Sequence, residues 1–167
     1  MSEFVLNRQS SIRVSLRTLE AFLARARRTL HLPKDSVTVC LLSDAEMARL
    51  NRRYRGKRGA TDVLSFPAHD GAGKLARGAV RGRGRGARRQ EGQQKLAPTF
   101  AGEYLGDVAI APGVARRNAR RFGRTLPGEL RILILHGVLH LLGYDHATDN
   151  GAMERYEARL RRRLGLS

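Results

Sequence analysis

Tryptophan is absent from the 167 residues, cysteine occurs once, and acidic side chains number 15 against 32 Lys and Arg. Each shortage closes a route. The lone Cys40 has no partner for an internal disulfide, which suits a reducing cytoplasm, and its place in an apolar run marks it as a small core residue. Aromatic residues make up 5% of the chain, which excludes extensive base stacking of the kind single-strand-binding proteins use. Long apolar runs are missing too. The longest uncharged stretch, Ile132 to Tyr144, falls short of the ~18 residues a spanning helix needs. The opening MSEFVLNRQSSIRV lacks the hydrophobic region of a secretory signal, so no membrane association is expected and the expected location is cytoplasmic.

What is abundant is positive charge, a formal net of +17. With 41% hydrophobic residues there is still material for a core, so the charge does not imply disorder throughout, and residues 1–167 read as one domain. Arg far outnumbers Lys, which favours planar, bidentate contacts to phosphate. A polyanion is the expected partner, nucleic acid before anionic membrane.

Pattern divides the chain into short elements. Residues 3–8 read as a strand, 12–30 as a helix with Leu19, Phe22, Leu23 and Ala26 near helical spacing, and 36–42 as a buried strand. Ser43 and Glu46 have the spacing of a capping box opening a helix that carries Met47, Leu50 and Tyr54. Residues 61–66 and 103–112 read as strands, and Val114, Ala115, Ala119 and Phe122 suggest a short helix. Pro127 suits the first position of a helix closed by Gly143, and Met153, Tyr156, Leu160 and Leu164 mark a last helix over about 150–164. The expectation is an α/β (α+β layered) fold, a small four-stranded mixed sheet packed with about five helices, with the metal site discussed below at the end of a core helix. Strand order is not legible.

Residues 71–98 differ in character. They hold seven Gly and eight Lys or Arg against one Glu, with RGRGRGARR at the centre. Such a stretch cannot bury a core and is expected to be a mobile insertion. It carries seven of the seventeen net positive charges and would serve as an added electrostatic arm.

The chemistry concentrates in HGVLHLLGYDH, residues 136–146. His136 and His140 are four apart on a helix and project from nearly the same side, so both can reach one ion. Gly143 permits the turn that swings His146 back toward them. Three imidazoles with an open fourth position are the ligand set of a catalytic zinc, although neutral imidazole also suits other transition metals. Asp145 is either an ordinary turn residue or the group that orients a ligating imidazole. Isolated His31 and His69 read as ordinary residues. The spacing matches the H-x-x-x-H-x-x-G-x-x-H skeleton of metzincin proteases, but Gly137 stands where those enzymes carry a general-base Glu.

With NRRYRGKRGATDVLSFP at 51–67, YLGDVAIAP at 104–112, ELRILILHGVLHLLGYDH at 129–146 and an acidic position near Glu154, the chain resembles the YbeY family of bacterial metal-dependent endoribonucleases, which mature and police ribosomal RNA. The resemblance covers most of the chain outside 68–102. It implies His136, His140 and His146 as ligands of one zinc ion, Arg55 as the catalytic or RNA-binding arginine, and His136 as part of the catalytic machinery. It also implies cutting of single-stranded rRNA near the small-subunit 3′ end, ribosome quality control, and the ribosome or small-subunit assembly factors as partners. Thr61, Asp62 and Ser65 are candidates to line the cleft or to cap a turn, and Asp107 stays unassigned. Arg116, Arg117, Arg120, Arg121 and Arg124, with Arg155, Arg159, Arg161, Arg162 and Arg163, form a candidate track for RNA backbone. A metalloprotease with another base and a non-catalytic, metal-stabilised RNA-binding protein of ribosome assembly are the competing readings.

Overall fold

The computed structural model describes residues 3–68, 104–145 and 150–166. The 71–98 insertion, His69 and His146 lie outside the described residues. Among those described, four strands and five helices follow one another as β1 (Val5–Asn7), α1 (Leu16–Thr29), β2 (Val37–Leu41), α2 (Asp44–Arg55), β3 (Val63–Pro67), β4 (Gly106–Ile110), α3 (Pro112–Arg121), α4 (Leu126–Leu141) and α5 (Ala152–Leu164).

The sheet order is β1-β2-β4-β3, with β1, β2 and β4 parallel and β3 antiparallel to β4. The expected mixed four-stranded α/β architecture is therefore present. Every residue of β2 and β4 is buried, as befits central strands covered on both faces. β3, at the edge, alternates instead, with Leu64 and Phe66 buried and Val63, Ser65 and Pro67 half-buried.

The period of two sorts the strand side chains into two cores. Val37, Val39, Leu41, Val108 and Ile110 face α1, α4 and α5. Cys40, Leu64, Phe66 and Ala109 face Met47 of α2. Cys40 is fully buried, and that desolvation raises its thiol to about 11, so it is the inert core residue its surroundings suggest.

Local signals set most boundaries. Ser15 caps α1, so the helix starts later than residue 12; the preceding loop is closed by the Gln9 side chain, which bonds both main-chain groups of Ile12. The Ser43–Glu46 capping box forms as expected, and Gly56, at φ 65°, ends α2 just after Arg55. Thr125 caps α4, which moves Pro127 to the second helical position rather than the first. Phe122 sits past the end of α3 and is 55% exposed instead of joining its apolar face.

The helix that carries the histidines is the central element. Ten of the 16 residues of α4 are buried, so it is apolar on nearly all sides. It also lies very close to the sheet. A Cβ at Gly137 would come within 2.4 Å of Val108 Cγ1, in a valine with no exposed surface, and within 3.3 Å of Ser65 Oγ. The Ser65 hydroxyl uses the gap, donating to the Gly137 carbonyl at 2.9 Å. Gly137→Ala should overpack this contact and lower stability by about 1–3 kcal/mol, measured by denaturant unfolding. An unchanged midpoint would mean that the approach of α4 is not tight.

Candidate active site

α4 presents two faces with different duties. Its Gly137 side meets the sheet, while His136 and His140 turn toward an open cleft of about 690 Å³. The cleft runs along β3, the last strand of the sheet among the described residues. Thr61 to Ser65 and Pro67 form one wall, His136 and His140 another, and Arg55 enters from the end of α2. Arg55, far from the histidines in sequence, thus shares one cavity with His136 and His140.

The helix end beyond the histidines is a Schellman turn. Gly143 has φ 88°, its N–H donates to the His140 carbonyl at 2.9 Å, and the Tyr144 N–H donates to the Leu139 carbonyl at 3.1 Å. Gly143, Tyr144 and Asp145 follow round the cleft wall. The expected chain reversal therefore occurs, although His146 itself lies outside the described residues.

The two described histidines are arranged as co-ligands would be. Their Nε2 atoms are 3.0 Å apart and their rings stand at 74°. Two nitrogens bound tetrahedrally to one zinc are about 3.3 Å apart, given Zn–N distances near 2.0–2.1 Å. On the far side of the ring, His136 Nδ1 lies 2.9 Å from Glu157 Oε2. An ionised carboxylate only accepts, so Nδ1 carries a proton and Nε2 is the ring nitrogen that faces His140. The donor set and its orientation fit a transition-metal ion. The described residues alone supply two imidazoles and hold no cluster of three or more ligating side chains.

Glu157 is the functional residue that sequence reasoning missed. It is 5% exposed, pairs with Arg161 one turn on, and faces His136 from α5. Burial pushes its carboxyl up, but the His136 hydrogen bond and the Arg161 charge outweigh that and hold it below the usual carboxylate range. A signal existed: Glu157 lies four residues after Met153 and three before Leu160, on the buried stripe of α5, where an acid needs a partner. Glu154, by contrast, is exposed, and the carboxylate at His136 Nδ1 is that of Glu157.

Asp62 caps its turn. Its carboxylate accepts from Val63 N at 2.9 Å and from Asn118 Nδ2 at 3.1 Å, joining the start of β3 to α3. Asp107 is buried and accepts the Tyr104 hydroxyl, away from the cleft lining. Of the arginines in the expected track, Arg124 and Arg161 pair with the buried acids Glu129 and Glu157, so these two have structural employment. Arg116, Arg120, Arg121, Arg155, Arg159, Arg162 and Arg163 are exposed, as is Arg117, which pairs with Asp44.

Comparison with known proteins bears on the same residues. A family profile described as Endoribonuclease YbeY matches residues 4–165. The chain belongs to the YbeY family of endoribonucleases. An Endoribonuclease YbeY of Solibacter usitatus is 43% identical over 75% of this chain and 64% of its own length, so the chain spans about two thirds of that relative. Another, of Koribacter versatilis, is 40% identical over 92% of this chain and 80% of its own. A solution structure from Thermotoga maritima has the same fold, with a TM-score of 0.52 at 23% identity over 93% of this chain and 84% of that one. Membership in the YbeY family places a nuclease of the hydrolase class on this fold.

The orienting role of Glu157 is open to direct measurement. In protein freed of metal, imidazole nitrogen NMR should find His136 protonated at Nδ1, and Glu157→Ala should return it to the mixed tautomers of a free imidazole. An unchanged tautomer in the variant would show that Glu157 does not set it.

Proposed function

We propose that the chain is a zinc-dependent, single-strand-specific endoribonuclease that matures the 3′ end of small-subunit rRNA and takes part in ribosome quality control. The observation that carries the reading is the convergence of His136 Nε2 and His140 Nε2, 3.0 Å apart, on a cleft that Arg55 also lines. His136, His140 and, by its spacing, His146 would hold the metal. When bound, such a metal supplies acidity to a water or hydroxyl group and polarises a phosphoryl oxygen. The chain's own residues do the rest. Glu157 keeps the His136 lone pair aimed at the cleft, and the Arg55 guanidinium, permanently charged, pairs with phosphate oxygens and stabilises the charge that grows on them.

Gly137 weighs against the metalloprotease reading. The position that would bear a general-base Glu points into Val108, where even a Cβ does not fit. A basic surface and a net charge of +17 favour an anionic polymer over a peptide. Ribosomal RNA, the ribosome and small-subunit assembly factors are the proposed partners, in the cytoplasm. In keeping with this, no described helix is long and apolar enough to cross a membrane.

The test uses rRNA precursors and an unfolded protein as alternative substrates. Wild type should cut the RNA and leave the protein intact. His136→Ala should lose both cleavage and bound zinc, whereas Arg55→Ala should lose cleavage about 100-fold or more while keeping its zinc. RNA cleavage that survives both substitutions would overturn the reading, and peptide cleavage would replace it with the protease. A 2′,3′-cyclic phosphate on the product would identify the RNA 2′-hydroxyl as the attacking group, and its absence would point to water.

A further inference from the structure

Residues of β3 line the cleft together with His136 and His140, and the polarity of the strand's outer edge follows from the register of β3 on β4. The Ala111 N–H donates to the Asp62 carbonyl at 2.9 Å, and the Ala68 N–H donates to the Leu105 carbonyl at 2.8 Å. These two bonds bracket a register in which Leu64 lies opposite Ala109 and Phe66 opposite Asp107. In an antiparallel ladder, hydrogen-bonded residues alternate with residues whose N–H and C=O both point the other way. Residues 62, 64, 66 and 68 therefore bond to β4, and Val63, Ser65 and Pro67 turn their main-chain groups outward. Among the described residues β3 ends the sheet order, so these groups face away from the sheet, and residues 61–65 and 67 line the cleft.

Those outward groups are not equivalent. The Val63 N–H is already taken by Asp62 Oδ1 at 2.9 Å, and Pro67 has no N–H. Ser65 alone presents an adjacent donor and acceptor, and its hydroxyl is turned away onto the Gly137 carbonyl. We infer that the outward main-chain N–H and C=O of Ser65 pair with the Watson–Crick edge of one unpaired nucleobase of the RNA in the cleft. This deepens the endoribonuclease reading and rests on it.

The chemistry matches. Each of the four bases carries a donor beside an acceptor on its Watson–Crick edge, so the N–H and C=O of one residue can pair with any of them in two hydrogen bonds. In a duplex that edge is occupied, so the same contact rejects paired RNA without reading sequence. Arg55, in the same cleft, offers its charge to the backbone phosphate. An extended peptide is the less suitable occupant. Strand addition needs repeated donors along the edge, and here a single N–H stands between one that is engaged and one that does not exist.

The experiment compares wild type, Ser65→Ala and Ser65→Pro. Alanine removes the hydroxyl and keeps the N–H; proline removes both. Proline already occupies the next outward position, 67, so the edge accommodates it, and thermal unfolding of each variant checks that the fold is kept. Each protein is given an unstructured uridine-rich RNA and the same RNA made with N3-methyluridine, which blocks the Watson–Crick edge and leaves backbone and charge unchanged. Cleavage is followed directly, and binding by fluorescence anisotropy. Wild type and Ser65→Ala should prefer the unmethylated RNA about tenfold in kcat/KM, and Ser65→Pro should treat the two alike. Equal handling of both RNAs by wild type would overturn the Ser65 contact while leaving the nuclease reading intact, and this holds even if the proline variant fails to fold. No binding or cleavage of either RNA, or of the rRNA precursors, would overturn the nuclease reading itself and the contact with it.

Discussion

The close approach of α4 to the sheet is the constraint on which the site depends. Gly137 lets the helix settle onto Val108, and the Ser65 hydroxyl locks the two together through the Gly137 carbonyl. At about 100° per residue, fixing position 137 against the sheet fixes the direction of positions 136 and 140. His136 and His140 are thereby held in the cleft by the packing of the helix that carries them. The same contact fixes the distance between the histidines and the edge of β3. A site resting on a buried helix and a hydrogen-bonded strand loses little entropy when it organises, which suits it to hold reacting groups in register.

Scarcity of acid explains much of the surface. Among the described residues, Asp107, Glu129 and Glu157 are buried, where each accepts a hydrogen bond from Tyr104, Arg124 or His136. Acidic groups placed inside cannot offset the cations outside. The exposed faces of α3 and α5 are consequently rich in unpaired positive charge, and their mutual repulsion is a cost that a polyanionic partner relieves. Charge that loosens the free protein slightly is the same charge that would draw the proposed RNA substrate toward the cleft and make its binding salt-sensitive.

The features legible in sequence were those encoded over a few residues. The i, i+4 pair His136 and His140, the Gly143 turn and the Ser43–Glu46 capping box all form as the spacing implies. What escaped was set by partners far along the chain. The sheet order could not be read because β3 enters beside β4 only through a long connection. Gly137 read as the absence of a general base, and its positive role needs Val108, 29 residues earlier, to be visible. Glu157 was overlooked because its spacing follows α5, whereas its function depends on where α5 crosses α4. Helical period puts Phe122 on the apolar face of α3, but the helix stops at Arg121 and Phe122 is its C-cap.

The direction of β3 ties these threads together. Were β3 parallel to its neighbours, a crossover would be needed between it and β4, and a covering helix is the usual way to make one. Running antiparallel, it can end the sheet as a short edge whose outer side stays open to the cleft. Open edges invite association with other strands, and this one is blunted by Pro67 and by the Asp62 carboxylate on the Val63 N–H. The two devices that protect the edge leave one outward donor–acceptor pair on the strand, at Ser65, a residue that lines the same cavity as the histidines. Protection against unwanted strand pairing and the proposed selectivity for an unpaired base therefore arise from the same short edge, residues 62–67.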